Sequence, residues 1–270
     1  MPDPMLIEAQ ELIHSPPPVV FDCRFSLLDP GAGRAWYREG HIPGAWYLDL
    51  DTDLAGPKAK HGGRHPLPPA DAFVALLTSC GVGVDTQVVA YDDSRCAFAA
   101  RLWWMMRSLG YRPPRLLNGG YQAFLAAGGL PDTGLPLPTT QQPPAARAYS
   151  GVCDISALRE LQGAAALLID SREERRYLGL EEPIDPVAGH IPGALNRPWQ
   201  GVTSPDGRLR DTAGLREHWG DVLDAEQLVV YCGSGVTACV NLFSLALLGR
   251  DDATLYAGSW SDWCSYLSDG

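Results

Sequence analysis

Between positions 228 and 238 the chain reads LVVYCGSGVTA. Four strand-favouring residues deliver a thiol, Cys232, and everything after it is small: Gly233, Ser234, Gly235, Val236, Thr237 and Ala238. Glycines permit unusual φ angles and close backbone approach, so the N–H groups of such a turn can converge on one point as an anion nest. A helix starting near Thr237 or Ala238 adds the positive end of its dipole. The chemistry suited to that setting is nucleophilic attack by a thiolate, or the holding of an anionic sulfur species attached to it. A cysteine phosphatase needs an arginine six residues after its thiol, where this chain has Ala238, so phosphoryl transfer is set aside. The competing explanation is a packing cysteine, since cysteine is among the most buried residue types.

An internal duplication weighs against mere packing. VVFDCR at 19–24 precedes EGHIPGAWYLDLD at 39–51, and LLIDSR at 167–172 precedes AGHIPGALNRPW at 188–199. Farther on, VVAYDDSRCAFAARLWWMMRSLGY at 88–111 aligns with LVVYCGSGVTACVNLFSLALLGR at 228–250, and LLNGGYQAFLAAG at 116–128 with LYAGSWSDWCSYL at 255–267. The period is too long for a solenoid, so a whole domain occurs twice. In the first copy Asp92 stands where the second has Cys232. Folding therefore does not require a thiol at that step, and the second copy carries it for chemistry.

The elements that position this turn follow from hydrophobic patterning. Short apolar runs at 19–21, 88–91, 167–169 and 228–231 alternate with helical patterns at 71–79, 97–109, 154–162 and 237–248. Such alternation predicts an α/β fold, two tandem domains each with an open, mostly parallel sheet flanked by helices. In sheets of this kind ligands bind beyond the carboxyl ends of the strands, which is where Cys232 falls. The segment 131–150 holds five prolines and predicts an extended linker, placing the domains at 1–140 and 148–270.

The remaining composition bounds the function. Of 270 residues, 46% are apolar and 20% charged, with a net charge of −11; this argues against nucleic acid and anionic membrane surfaces as partners. The uncharged stretch 228–249 contains Gly233, Gly235 and Asn241, which predicts a buried strand plus helix rather than a membrane span. The N-terminal residues lack the basic start and apolar run of a signal peptide, so the expected location is cytoplasmic. Seven scattered cysteines without a CxxC pair predict reduced core thiols, Cys239 among them, and neither a disulfide framework nor a metal site.

The duplicated plan, the paired GHIPGA segments and the CGSGVTA loop together resemble the two-domain rhodanese family, and the loop is similar to that of 3-mercaptopyruvate sulfurtransferases. The resemblance implies a persulfide enzyme with Cys232 as nucleophile, an inactive first domain, and no metal or organic cofactor. It matches Ser234, His65 of HPLP and Asp51 of DLD to the family's proton relay, in which aspartate orients imidazole and imidazole polarises serine. It matches Arg176 to the family's substrate-binding arginine, with Gly233, Gly235, Val236 and Thr237 forming the donor-binding loop. One departure stands out. The family's second arginine belongs in LGLEEPIDPVAG, which has none and carries Asp185 near that place; Arg197 is the substitute nearest in sequence.

Thiosulfate-using members tend to carry basic residues just after the cysteine, whereas Gly233, Ser234 and Gly235 are neutral. A singly charged donor, 3-mercaptopyruvate, is therefore expected, with a thiol acceptor such as thioredoxin or a low-molecular-weight thiol. The alternatives are a thiosulfate:cyanide sulfurtransferase and a non-catalytic persulfide carrier. His41 and His190 occur in both copies and are expected to be structural. Arg172 and Arg175 are expected to be surface charges or ion-pair partners, and Trp260 and Trp263 to pack near the loop.

Overall fold

A computed structural model describes residues 5–16, 18–139, 142–145 and 147–267. The chain forms two compact units. The first comprises Met1–Gly56, Pro68–Ser150 and Pro205–Leu209; the second comprises Pro57–Leu67, Gly151–Ser204 and Arg210–Gly270. Residues 57–67 thus pack with the second unit although they precede the proline-rich segment in sequence.

The first unit contains β1 (Leu6–Ile7), α1 (Ala9–His14), β2 (Val19–Asp22), α2 (Ala32–Glu39), β3 (Trp46–Tyr47), α3 (Ala70–Ser79), β4 (Val88–Tyr91), α4 (Ala99–Ser108), β5 (Arg115–Leu117) and α5 (Gly120–Ala126). Its five parallel strands run in the order β1-β5-β4-β2-β3. The second unit contains β6 (Val152–Cys153), α6 (Ile155–Gly163), β7 (Leu167–Asp170), α7 (Glu174–Tyr177), β8 (Leu195–Asn196), α8 (Thr212–Trp219), β9 (Leu228–Tyr231), α9 (Ala238–Leu247), β10 (Thr254–Tyr256) and α10 (Ser259–Leu267). It repeats the plan as β6-β10-β9-β7-β8, again all parallel. The central strands are near-continuous apolar runs because helices cover both faces; β4 and β9 are buried throughout. Among the described residues no helix is long and apolar enough to cross a membrane, and the stretch 228–249 divides into β9 and α9.

One buried knot recurs in both units. Parallel register sets Asp22 beside Tyr91 and Asp170 beside Tyr231. The Asp22 carboxylate accepts the Tyr91 hydroxyl at 2.7 Å and the Arg24 guanidinium at 2.6 Å. Arg24 also donates to the Gly40 carbonyl at 2.7 Å, while the Ile42 N–H donates to the Tyr91 hydroxyl. The strand ends are thereby tied to the GHIPGA turn. In the second unit Arg172 reaches Asp170 at 2.7 Å and the Gly189 carbonyl at 2.6 Å, and the Ile191 N–H meets the Tyr231 hydroxyl at 3.1 Å. Burial first, then the Asp22 charge, pushes the Tyr91 phenol far above its ordinary pKa, so it remains a donor.

His41 and His190 are structural, as their recurrence predicts. Each ring stacks on a tyrosine, Tyr37 or Tyr177, at 3.9 Å, and each Nδ1 lies within 2.8 Å of that tyrosine's carbonyl. Arg172 is no surface charge: its side chain is 1% exposed. Arg175 is exposed and pairs with Glu181. Removing one partner of a buried ion pair strands the other charge and costs about 3–5 kcal/mol, whereas an exposed pair contributes about 0–1 kcal/mol. Asp170→Ala is therefore expected to lower stability by about 3–5 kcal/mol in denaturant unfolding, and Arg175→Ala by less than about 1 kcal/mol. Equal effects of the two would deny the knot its structural role.

Candidate active site

The loop after β9 is fixed from below by α10. The Cys232 carbonyl accepts the Trp260 N–H at 3.0 Å, and the Gly233 carbonyl accepts the Ser261 N–H at 2.9 Å. Helix starts leave such N–H groups without intrahelical partners; here the cysteine loop takes them. The Cys232 N–H donates to the Ser259 hydroxyl at 3.1 Å, and that hydroxyl donates to the Tyr256 carbonyl at 2.9 Å. Ser259 is fully buried and sits in the left-handed region at φ 57°, a conformation non-glycine residues adopt only when their surroundings impose it. It was not foreseen. Its signal is the alignment of a serine with Gly120, which has φ 61° in the first unit.

Cys232 is 2% exposed, and the Gly235 N–H donates to its Sγ at 3.1 Å. Gly235 has φ +76°, and a Cβ there would lie 2.3 Å from the Ala257 carbonyl oxygen, so only glycine fits. Val236 is buried, and Thr237 is half-buried at the start of α9. The Cys239 thiol, inside α9, donates to the Gly235 carbonyl at 3.4 Å.

The equivalent turn of the first unit shows what this architecture holds. The Asp92 carboxylate accepts N–H groups from Ser94, Cys96, Phe98 and Ala99 at 2.8–3.0 Å. Burial pushes its pKa up to about 6, while the backbone hydrogen bonds pull it down. The first turn is one residue longer: α4 starts seven residues after Asp92, and α9 six after Cys232.

Residues 57–67 bring two further groups to the loop. His65, 6% exposed, places Nδ1 2.7 Å from the Ser234 hydroxyl. The segment is pinned along α10, where the Gly62 N–H donates to Asp262 at 2.7 Å and the Arg64 N–H to Ser261 at 3.1 Å. His61 lies 2.7 Å from the Ser265 hydroxyl and stacks on Tyr266. Asp51 belongs to the first unit, half-buried, where its N–H donates to Asp49.

Two guanidiniums flank Gly233. A Cβ there would lie 2.9 Å from Nη2 of Arg64 and 3.6 Å from both terminal nitrogens of Arg176. Arg176 donates to Glu182 at 2.7 Å and Asp185 at 3.1 Å; Arg64 pairs with Asp185; Arg172 reaches Glu182 at 3.1 Å. The result is an alternating series, Asp170, Arg172, Glu182, Arg176, Asp185 and Arg64. Burial raises Asp185 despite its arginine neighbours. Glu182 is also pushed up by burial, but the bond and charge of Arg176 together with the Asp185 and Ile184 N–H groups leave it low. Arg197 is not the second guanidinium at this loop. Its Nη1 donates to the Asn196 carbonyl, and its Nε is buried without a partner. Arg64 occupies that role in space, and sequence distance hid it. Trp260 packs at the loop as expected, its ring 4.8 Å from the Arg172 guanidinium. Trp263 lies farther along α10, against Arg159.

All seven cysteines are buried and unpaired, and no cluster among the described residues is arranged to hold a metal ion.

The chain matches the model of the rhodanese-like domain twice, over residues 6–127 and 154–266. It is 43% identical to a protein of Pseudomonas aeruginosa named "Probable 3-mercaptopyruvate sulfurtransferase", over 97% of this chain and 96% of that one. It is 34% identical to the thiosulfate sulfurtransferase of Cricetulus griseus, over 88% of this chain and 82% of the other. The solved 3-mercaptopyruvate sulfurtransferase from Leishmania major superposes with a TM-score of 0.87 at 32% identity, covering 99% of this chain and 76% of that one. With the knot, the paired GHIPGA turns and the cysteine loop present in this arrangement, the chain belongs to the rhodanese family, as two tandem rhodanese-like domains.

Proposed function

We propose that this protein is a sulfurtransferase that takes sulfane sulfur from 3-mercaptopyruvate onto Cys232 and passes it to a thiol. The observation that carries this reading is the Gly235 N–H on Cys232 Sγ, in a turn whose counterpart cradles the Asp92 carboxylate with four N–H groups. A carboxylate oxygen stands two bonds from Cβ, as the outer sulfur of a cysteine persulfide does. The same turn thus suits the anion that the reaction leaves behind.

In the first half-reaction the Cys232 thiolate attacks the donor sulfur, and the carbon–sulfur bond breaks with its electron pair going to carbon. The Ser234–His65 pair takes the proton from the transferred sulfur and returns it to the enolate, so that pyruvate leaves and Cys232 holds a persulfide anion. In the second half-reaction a thiolate attacks the outer sulfur and restores the Cys232 thiolate. The scheme needs no metal or organic cofactor. Asp51 is the third relay member by family resemblance alone. Low-molecular-weight thiols and thioredoxin are the proposed acceptors, with cyanide serving in an assay. Seven reduced cysteines suit a reducing compartment, which supports a cytoplasmic location.

Electrostatics favours this donor over thiosulfate. Arg64 and Arg176 face the loop, but Asp185 and Glu182 offset their charge. A singly charged donor gains two oriented guanidiniums there, while a dianion gains little net potential. The expected kcat/KM for 3-mercaptopyruvate exceeds that for thiosulfate at least about tenfold; a reversed preference would make this a thiosulfate sulfurtransferase.

Mass spectrometry after incubation with 3-mercaptopyruvate should find one added sulfur on the peptide containing Cys232, and none in Cys232→Ser. A wild type that binds a partner protein yet turns over no donor would instead be a persulfide carrier. His65→Ala is expected to lower kcat for 3-mercaptopyruvate by about 10²-fold, the usual scale for a lost acid–base group, and Asp51→Asn by less. An unchanged rate in the histidine variant removes the relay.

A further inference from the structure

Resting on that proposal, we infer that Arg64 is the second carboxylate-recognising residue of the donor site, acting with Arg176 beside Gly233. Three observations point to it. First, Nη2 of Arg64 approaches the Cβ-less face of Gly233 more closely than either terminal nitrogen of Arg176 does. The missing side chain lets both guanidiniums lie close to the loop at the residue next to the thiol.

Second, the alternating ion series ends at Arg64. Arg172 lies between Asp170 and Glu182, and Arg176 between Glu182 and Asp185. Arg64 closes the series against Asp185. A guanidinium has five N–H donors in a planar fork that matches a carboxylate, so the terminal arginine has the greatest capacity to accept another anion. It is also the more accessible of the two, with its side chain 28% exposed against 13% for Arg176.

Third, the backbone that carries Arg64 is fixed. Its N–H is held by Ser261, and the preceding residues by Asp262 and Ser265. A Cβ at Gly63 would lie 2.4 Å from the Gly258 carbonyl oxygen, so the segment lies tight on the start of α10. Its neighbour His65 already engages Ser234. One short segment therefore supplies both a proton-transfer group and a recognition group to the same loop. Asp185 is the counter-ion that orients Arg64 and limits the charge the donor can bring.

The test is steady-state kinetics with 3-mercaptopyruvate on the wild type, Arg64→Ala and Arg64→Lys, together with competitive inhibition by pyruvate, which presents the carboxylate without the transferable sulfur. The expected result for Arg64→Ala is a KM raised about 10- to 100-fold with kcat changed less than about threefold, the pattern of lost uniform binding. Pyruvate inhibition should weaken in parallel, and Arg64→Lys should recover part of both, because lysine restores charge without the fork. A wild-type KM and wild-type pyruvate inhibition in Arg64→Ala would overturn the assignment. So would a fall in kcat alone, which marks a group that only holds Asp185 or the segment. If Arg64→Ala does not fold, Arg64→Lys carries the same decision. Failure of the wild type itself to turn over 3-mercaptopyruvate would instead sink the proposed donor chemistry.

Discussion

The buried guanidinium of Arg172 is the interaction on which the second unit's site depends. It is paired with Asp170 at the end of β7, bonded to the Gly189 carbonyl in the GHIPGA turn, and paired with Glu182, which holds Arg176. It also lies over the ring of Trp260, and the backbone N–H of Trp260 holds the Cys232 carbonyl. A lysine could not do this, because it lacks both the planar fork and the stacking face. Desolvating such a group is tolerable only when its donors are matched, and that requirement fixes the strand end, the turn, the acidic loop and the start of α10 relative to one another. The reactive loop inherits its geometry from this centre.

The first unit shows which part of the plan is scaffold and which is function. Arg24 repeats the pairing with Asp22 and the bond to the Gly40 carbonyl, and stacks on Tyr121 at 4.0 Å. The Tyr121 N–H donates to the Asp92 carbonyl at 3.0 Å, just as the Trp260 N–H does to Cys232. What differs is the content of the turn. A carboxylate that satisfies four N–H groups completes the turn internally. A thiol in the second unit, followed by Gly233 and Gly235, does not fill the turn in that way. Duplication thus supplies an internal control, in which the same backbone plan with a filled nest stabilises a fold and with an unfilled one can hold a reactive group.

Much of this was legible in the chain. Hydrophobic runs located the central strands to within a residue, because buried parallel strands have few ways to be written. The alignment of Asp92 with Cys232 marked the turn, and recurrence separated the structural histidines from His65. Other features were hidden for physical reasons. Arg172 read equally as a surface charge or an ion-pair partner, because its partners, Asp170 and Glu182, are recognisable only once the strand end and the acidic loop are folded together. Arg64 could not be paired with Asp185 from sequence, since 120 intervening positions separate them and the segment carrying Arg64 packs with the later unit. Ser259 was invisible because a left-handed serine violates the preference that usually assigns such a position to glycine.

That violation bears on how the thiol is presented. A glycine at 259 would relieve the backbone but would remove the hydroxyl that accepts the Cys232 N–H and donates to the Tyr256 carbonyl. Without it, the first amide of the loop would lose its recorded partner in a buried setting, where an unmatched donor costs about 1–3 kcal/mol. The serine therefore exchanges conformational strain of similar size, about 1–3 kcal/mol, for a fixed orientation of the residue that carries Sγ. The first unit uses Gly120 at this step, next to a turn already held by the Asp92 side chain. At this step a strained residue is retained in the copy whose turn carries the thiol, whereas the first unit places its left-handed non-glycine residues, Arg95 and Cys96, within the turn that the Asp92 carboxylate holds.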